Sequence, residues 1–344
     1  MNIDIELYRR EVRVSASPLV RLSAIDISPE LPRRTLVFLH GFGGQASQWR
    51  YQLQKFSLDN RVIALDLRGH GHSDRANAGC NMPNVLNDLR AALDALSVAG
   101  PFILIGHSFG GAVAAEFAAA HPERLSGLVL VATAGEFHLN PLYKLGLSLP
   151  SAVLRFVEPV TQGWLSAPPH ILKSWYTQNL SNWRGWDTFQ RISVPTLVLR
   201  GHRDRVFAGP LFERVAQTIP DAEDVDIGVS GHMVMIERRD ALNRALERFL
   251  DGETRRSWRD STGNIPRLSR DSLRRARPWL NHYENGVPYT IGVPQVPVHY
   301  LLRSAVRRFA GRAALYFEGS ALTYRRLNAE VNRFANALLG LGLG

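Results

Sequence analysis

The chain has 344 residues, 45% of them hydrophobic, which suffices for one large domain or two smaller ones. No stretch approaches the roughly 18 apolar residues of a membrane span, and the first residues lack the apolar core of a signal peptide. Cys80 is the only cysteine, which excludes an intrachain disulfide and predicts a cytoplasmic protein.

The net charge of +10 is concentrated near the C-terminus. Residues 1–250 carry 26 Lys and Arg against 24 Asp and Glu, whereas residues 251–344 carry 15 against 7. The basic stretch lacks the interleaved aromatic residues on which single-stranded bases stack. We therefore predict no nucleic-acid partner and no stable membrane insertion, and we interpret residues 253–277 as a solvated basic linker.

Short apolar runs recur along the first 250 residues. They follow a two-stranded start and fall at residues 35–40, 61–66, 102–107, 127–132 and 195–201, and the sheet pattern resumes at residues 221–228. Helical patterns lie at residues 84–98, 109–121 and 239–252. This alternation predicts an α/β fold with a mostly parallel central sheet flanked by helices, in a domain spanning residues 1–252. Chemistry in such sheets lies at the carboxyl ends of the strands.

The alternation breaks over about residues 136–191, which are rich in apolar and aromatic side chains. Insertions of this length are usually functional, so we predict a helical lid over the strand ends. A helical excursion with a purely structural role is the alternative. The tryptophans expected to line the lid are Trp164, Trp175, Trp183 and Trp186.

Ser108 lies in the pattern G-x-S-x-G, between an apolar run and an alanine-rich helix. A tight strand-to-helix turn projects such a serine out of the sheet, and Gly106 and Gly110 remove Cβ atoms that would collide there. The positive end of the following helix favours developing negative charge. These features make Ser108 a candidate nucleophile.

A serine nucleophile needs a base and a group that orients the base. His232, in a loop just before the helix at 239–252, is the best placed of the eleven histidines. Asp204, just past an apolar strand, is the candidate orienting acid, and Glu136, after the preceding strand, is the alternative. A metal site at His70 and His72 is not expected, because no acidic or cysteine partner has ligand spacing.

The reaction also needs backbone N–H donors for an oxyanion. Phe109, directly after the serine, supplies one candidate N–H. Phe42, in the Gly-rich stretch HGFGGQASQW at residues 40–49, supplies the other. The alternative is that these glycines only form a turn.

In chain order, LHGFGG, ALDLRGHGHSD, GHSFGG, RGHRDRV and GHMVMIERRDALNRALERFL resemble the α/β-hydrolase family over about residues 10–252. The resemblance implies that Ser108 is the nucleophile, His232 the general base and then acid, and Asp204 the orienter. It implies no cofactor and no metal. We place His107, Trp164 and Trp175 among the residues that bind substrate.

The family cleaves several kinds of acyl bond with one triad. The apolar insertion favours a small-molecule carboxylic ester or thioester with a lipophilic acyl group. A catalytically silent scaffold that binds a ligand or partner is the alternative function.

Residues 278–344 do not fit a hydrolase. LLRSAVRRF, ALYFEGSALTYRRL and VNRFANALLGLG resemble the opening of an AMP-forming acyl-CoA synthetase. The pattern predicts two amphipathic helices around a short hairpin, an incomplete α+β extension. The stretch contains no Ser/Thr/Gly-rich phosphate loop, so we expect no adenylation by this chain. The resemblance implies a hydrolase–ligase fusion in which the extension needs the missing ligase domain.

Overall fold

The structure of this protein is a computed structural model. The structure describes residues 3–75, 79–137, 141–154, 166–204, 206–207, 209–260, 296–317 and 320–342. These residues form two units, one that begins at Arg9 and one that combines Asn2–Tyr8 with Val293–Gly344.

The first unit is built on an eight-stranded sheet. Its strands are β1 (Arg9–Ala16), β2 (Leu19–Ile27), β3 (Thr35–Leu39), β4 (Arg61–Asp66), β5 (Phe102–His107), β6 (Leu125–Val131), β7 (Thr196–Arg200) and β8 (Ala222–Asp226). They lie in the order β1-β2-β4-β3-β5-β6-β7-β8. The first two strands run antiparallel to their neighbours, and the six from β4 to β8 run parallel to one another. The mostly parallel sheet predicted from the apolar runs is confirmed.

Helices cover this sheet. They are α1 (Arg50–Phe56), α2 (Met82–Ala95), α3 (Phe109–Ala120), α4 (Pro141–Ser148), α5 (Pro169–Trp175), α6 (Trp186–Gln190), α7 (Gly209–Thr218), α8 (Val234–Glu237) and α9 (Arg239–Asp260). Short 3-10 turns lie at Ile5–Tyr8, Ala46–Trp49 and Pro122–Arg124, and a π turn lies at Tyr176–Leu180.

The core lies around β5 and α3. All six residues of β5 are buried, as a strand covered on both faces requires. The alanines and glycines of α3 are small enough to bring that helix close to the sheet, and nine of its residues are buried. The strand end and the helix start at Ser108 are thereby fixed.

Two boundaries differ from the sequence predictions. Residues 5–8 form a 3-10 turn, so the first strand begins only at Arg9. Helix α9 continues through Gly252, where we placed the domain boundary, to Asp260. A single glycine costs a helix only about 1 kcal/mol, and the Glu and Arg residues that follow Gly252 are good helix formers.

The insertion predicted at about 136–191 contains helices α4, α5 and α6 and no strand among its described residues. Its helical character is thereby confirmed. Trp164 lies outside the described residues.

The second unit contains helices α10 (Val298–Phe309) and α11 (Tyr324–Gly340) around the hairpin of β9 (Ala313–Phe317) and β10 (Ser320–Thr323). This is the arrangement predicted for the extension. Asp4 accepts a hydrogen bond from Ser304 and pairs with Arg307 at 3.7 Å, which joins the N-terminal segment to α10.

Many apolar side chains of this unit are exposed, among them Tyr316 at 81% and Phe317 at 74%. Across the part of the chain that the structure describes, no helix combines the length and apolar character needed to cross a membrane.

Candidate active site

Ser108 occupies the turn between β5 and α3. Its backbone has φ of +52° and ψ of −120°, a conformation that is strained for a residue with a side chain. Hydrogen bonds hold it there: the Ser108 N–H donates to the Val131 carbonyl at 2.8 Å, and the Gly111 N–H donates to the Ser108 carbonyl at 2.9 Å. The surrounding backbone therefore fixes where the Ser108 hydroxyl lies.

The glycines on either side of Ser108 are required by contact. A Cβ on Gly106 would overlap the backbone of Gly110, and a Cβ on Gly110 would overlap the His40 carbonyl and lie 2.7 Å from the Leu39 carbonyl oxygen. The close approach of β3, β5 and α3 at this point depends on their missing side chains.

His232 lies in the loop between β8 and α8, with its ring against Ser108. Its Nε2 is 2.9 Å from Ser108 Oγ, and its Nδ1 is 2.7 Å from Asp204 Oδ2. The carboxylate can only accept, so Nδ1 carries a proton and Nε2 is the atom that can take one from the serine. The structure thus brings together Ser108, His232 and Asp204, as the sequence order predicts.

Asp204 is itself held by backbone groups. Its side chain is 2% exposed, and Oδ1 accepts hydrogen bonds from the N–H groups of Val206 (2.7 Å) and Phe207 (3.2 Å). Both carboxylate oxygens are therefore engaged. Glu136, the alternative acid, instead pairs with Arg184 at 3.4 Å.

Phe109 directly follows Ser108 in the chain, and Phe42 directly follows Gly41 in the loop after β3. Phe109 is the first residue of α3, and among the described residues its N–H and that of Phe42 have no hydrogen-bond partner. Gly41 lies so close to the serine that a Cβ there would be 2.9 Å from Ser108 Cβ. Two backbone N–H groups without a partner among the described residues are candidate donors to an oxyanion.

Two buried histidines hold the loop that carries Phe42. His40 donates from Nδ1 to the Gly41 carbonyl at 2.8 Å and accepts at Nε2 from the Leu67 N–H at 3.0 Å. His70 accepts at Nε2 from the Gly43 N–H at 3.2 Å. Burial lowers the pKa of His40, and it lowers the pKa of His70 to about 3, so both rings are neutral. A neutral ring can donate and accept at once, which these contacts require.

Asp66 anchors the same loop from the end of β4. Its side chain is fully buried; Oδ1 accepts from the Ala46 N–H at 2.6 Å, and Oδ2 accepts from Arg9 at 2.7 Å and from the His72 N–H at 3.0 Å. Burial raises the pKa of this carboxyl, but the hydrogen bond with His72, the Arg9 guanidinium and the Ala46 N–H outweigh burial and hold the pKa below its usual range. His70 and His72, considered above as metal ligands, thus have structural partners.

Trp175 was predicted to bind substrate, and the structure places it in the core. Its side chain is fully buried, its Nε1 donates to the Arg68 carbonyl at 3.0 Å, and its ring meets His70 edge-on at 5.0 Å. The same carbonyl accepts from His70 Nδ1. Trp175 therefore ties the insertion to the loop after β4, a role that chain position alone does not reveal.

His107, also predicted to bind substrate, is 2% exposed and lies behind Ser108. Its Nε2 donates to the backbone carbonyl of His232 at 2.9 Å. This geometry favours a contact with the base over a contact with substrate.

Comparisons with known proteins agree with this fold. A family model described as the alpha/beta hydrolase fold matches residues 34–182. The chain is 26% identical over 247 residues to the AB hydrolase superfamily protein YisY of Bacillus subtilis, covering 63% of this chain and 91% of that protein. It is 29% identical over 238 residues to the dihydrolipoyllysine-residue acetyltransferase component of the acetoin cleaving system of Pseudomonas putida, covering 62% of this chain and 63% of that one.

Among solved structures, a thermophilic esterase from Thermogutta terrifontis matches 71% of this chain and 98% of its own, with a TM-score of 0.62 and 25% identity. This chain is a hydrolase with the α/β-hydrolase fold.

A cluster of aromatic side chains adjoins His232. The Phe207 ring lies 5.5 Å from the His232 ring, and Phe137 lies 5.3 Å from both Phe207 and Phe109. Trp183 extends the cluster, 5.5 Å from Phe137. This apolar cluster therefore adjoins the His232 ring and is built from α3, the insertion and the loop after β7.

The buried histidines predict how the stability of the hydrolase depends on pH. His40, His70 and His107 have lowered pKa values when folded and an ordinary pKa near 6.5 when unfolded, so the unfolded chain binds more protons below that pH. The free energy of unfolding should therefore fall as pH drops from about 6.5 to 5, by up to about 1.4 kcal/mol per pH unit for each histidine.

Urea unfolding across that pH range measures the slope. In the variant His70→Gln, the slope of the unfolding free energy against pH should fall by about one third. The variant removes one of the three histidines that take up a proton on unfolding. A free energy of unfolding that stays constant between about pH 6.5 and 5 would contradict the neutral state of these rings.

Proposed function

We propose that this hydrolase cleaves carboxylic esters or thioesters through an acyl-enzyme on Ser108. The observation that carries the proposal is the continuous chain of contacts from Ser108 Oγ through His232 to Asp204, at 2.9 and 2.7 Å. A serine hydroxyl becomes a nucleophile when a positioned base accepts its proton, and a third group orients the base.

In the first half of the reaction, Ser108 Oγ attacks the acyl carbon as its proton passes to His232 Nε2. The carbonyl oxygen becomes an oxyanion that accepts hydrogen bonds from the Phe42 and Phe109 N–H groups. When the tetrahedral intermediate collapses, the bond to the leaving alcohol or thiol breaks, and His232 returns the proton to that group.

In the second half, His232 takes a proton from water, the hydroxide attacks the acyl-enzyme, and collapse releases the carboxylic acid and restores the Ser108 hydroxyl. Asp204 stays ionised and stabilises the imidazolium in both halves. The two backbone donors that hold Asp204 Oδ1 keep its other oxygen on His232.

The aromatic cluster beside His232 supports a lipophilic acyl group. Phe207 contacts the His232 ring, Phe137 contacts Phe207, and Phe109 contacts Phe137, so the surroundings of the base are apolar on this side. Burying each additional methylene contributes about 0.8 kcal/mol, so a longer chain gains binding energy there.

Labelling with a fluorophosphonate probe tests the triad. Ser108→Ala and His232→Ala should abolish labelling, and Asp204→Asn should lower kcat on an activated ester by about 10³- to 10⁴-fold, because it disturbs the tautomer of the base. Glu136→Gln is the matched control for the acid and should retain most activity.

Each alternative outcome has a distinct meaning. Absent labelling of the folded parent chain would favour a silent scaffold that binds a ligand or partner. A larger loss in Glu136→Gln than in Asp204→Asn would reassign the acid.

A series of p-nitrophenyl esters from acetate to palmitate tests the acyl preference. We expect kcat/KM to rise with chain length, and we expect Phe137→Ala to reduce kcat/KM for octanoate about 10-fold more than for acetate, because the variant removes apolar contact area. A sharp preference for acetate would contradict the lipophilic acyl group. Parallel assays with acyl-CoAs decide between ester and thioester.

We further propose that this hydrolase belongs to a fusion with an acyl-CoA ligase. The support is the resemblance of residues 278–344 together with exposed apolar side chains on its hairpin and helices, such as Tyr316, Phe317 and Phe334. The hydrolase would release an acid that the ligase activates, or cleave the thioester that the ligase forms.

This chain incubated with ATP, CoA and a fatty acid should release no AMP. Formation of AMP and acyl-CoA would contradict our view of the extension as an incomplete ligase.

A further inference from the structure

His107 makes a contact that the triad mechanism does not use. Its Nε2 lies 2.9 Å from the backbone carbonyl oxygen of His232, and the two rings are 4.8 Å apart. The same His232 places its own Nε2 2.9 Å from Ser108 Oγ. His107 therefore contacts the backbone carbonyl of the candidate base, His232. It also directly precedes Ser108 in the chain.

The proton on His107 is fixed by that contact. A carbonyl oxygen only accepts, so Nε2 must carry the hydrogen, and Nδ1 has no hydrogen-bond partner among the described residues. Burial, followed by the neighbouring His232, lowers the pKa of His107 well below its usual value. The ring is thus a neutral donor that does not compete with His232 for the catalytic proton.

The Nδ1 edge of the ring lies against Gly41, in the loop that carries Phe42. A Cβ on Gly41 would lie 3.0 Å from His107 Nδ1 and 2.9 Å from Ser108 Cβ. One side chain thus separates the loop that carries Phe42 from the loop that carries His232.

The residues on either side of His232 in its loop are held by Glu237. Glu237 accepts from the Gly231 N–H at 2.6 Å and from the Met233 N–H at 3.2 Å. These bonds secure the residues that flank His232, while its own carbonyl is secured by His107.

We propose that His107 is a positioning residue that sets the distance between the His232 ring and the Ser108 hydroxyl, in place of the substrate contact predicted from the sequence. The proposal rests on the proposed function only in taking His232 as the base. A ring that tilts or recedes by a fraction of an ångström loses the proton transfer in both halves of the reaction, while substrate binding is unaffected.

Two variants separate the hydrogen bond from the volume of the side chain. His107→Gln can place an amide N–H near the position of Nε2, whereas His107→Leu fills similar space without a donor. We expect His107→Leu to lower kcat about 10- to 100-fold with KM nearly unchanged, and His107→Gln to retain kcat within about 3-fold of the parent. Phe117→Leu, a buried change in α3, serves as the control for general destabilisation.

The readouts distinguish positioning from packing. Rates are compared per folded molecule, using circular dichroism and thermal unfolding. Equal kcat in the parent and both variants would overturn the proposal. So would equal losses in His107→Leu and His107→Gln, because that pattern follows the volume of the ring and not its donor.

A measurement without variants tests the tautomer directly. In the ¹⁵N spectrum of the histidine-labelled chain, His107 should show a protonated Nε2 and a bare Nδ1 from about pH 8 to pH 5. A protonated Nδ1 would overturn the proposal even if the variants failed to fold. This spectrum requires no turnover, so it tests the role of His107 separately from the proposed function. A failure of the proposed function would instead appear as absent fluorophosphonate labelling of the parent chain.

Discussion

The crowding of backbone around Ser108 is the constraint on which the rest of the site depends. Strand β5 ends and helix α3 begins within one residue, at a φ of +52°, and Gly106, Gly110 and Gly41 leave no space for side chains. Such a conformation costs about 1 to 3 kcal/mol, which the burial of β5 and α3 offsets. Ser108 is thus positioned by the backbone packing of the sheet core, and the other groups of the site are arranged around it.

Neutral histidines connect the loops that surround this point. His40 and His70 each donate to one backbone group and accept from another, and His107 donates to the carbonyl of His232. A lysine could only donate and an aspartate only accept, so imidazole is well suited to joining two loops in a dry interior. Asp66 adds a charged anchor for the Ala46 N–H. The loops around Ser108 are therefore preorganised by backbone contacts, and their stability depends on the rings staying uncharged.

The sequence predicted the parts of the structure that depend on local pattern. The sheet was predicted from the buried apolar runs and the helices between them, and the position of Ser108 from the pattern G-x-S-x-G. Chain order selected His232 and Asp204, whose catalytic roles remain predictions. The sequence left Glu136 as an alternative to Asp204, because both follow a strand. His107 and Trp175 were predicted to bind substrate, but their partners, the His232 and Arg68 carbonyls, lie about a hundred residues away along the chain. Contacts of that kind leave no local signal.

In the proposed reaction, Ser108 forms a covalent acyl-enzyme with the help of His232. Rapid acid quench of the hydrolase with a p-nitrophenyl ester, followed by peptide mass analysis, tests it most directly. We expect one acyl group on the peptide that contains Ser108, formed with a burst of about one p-nitrophenolate per enzyme and absent in His232→Ala. Turnover of the ester with no adduct on that peptide, or an adduct on another residue, would contradict an acyl-enzyme on Ser108.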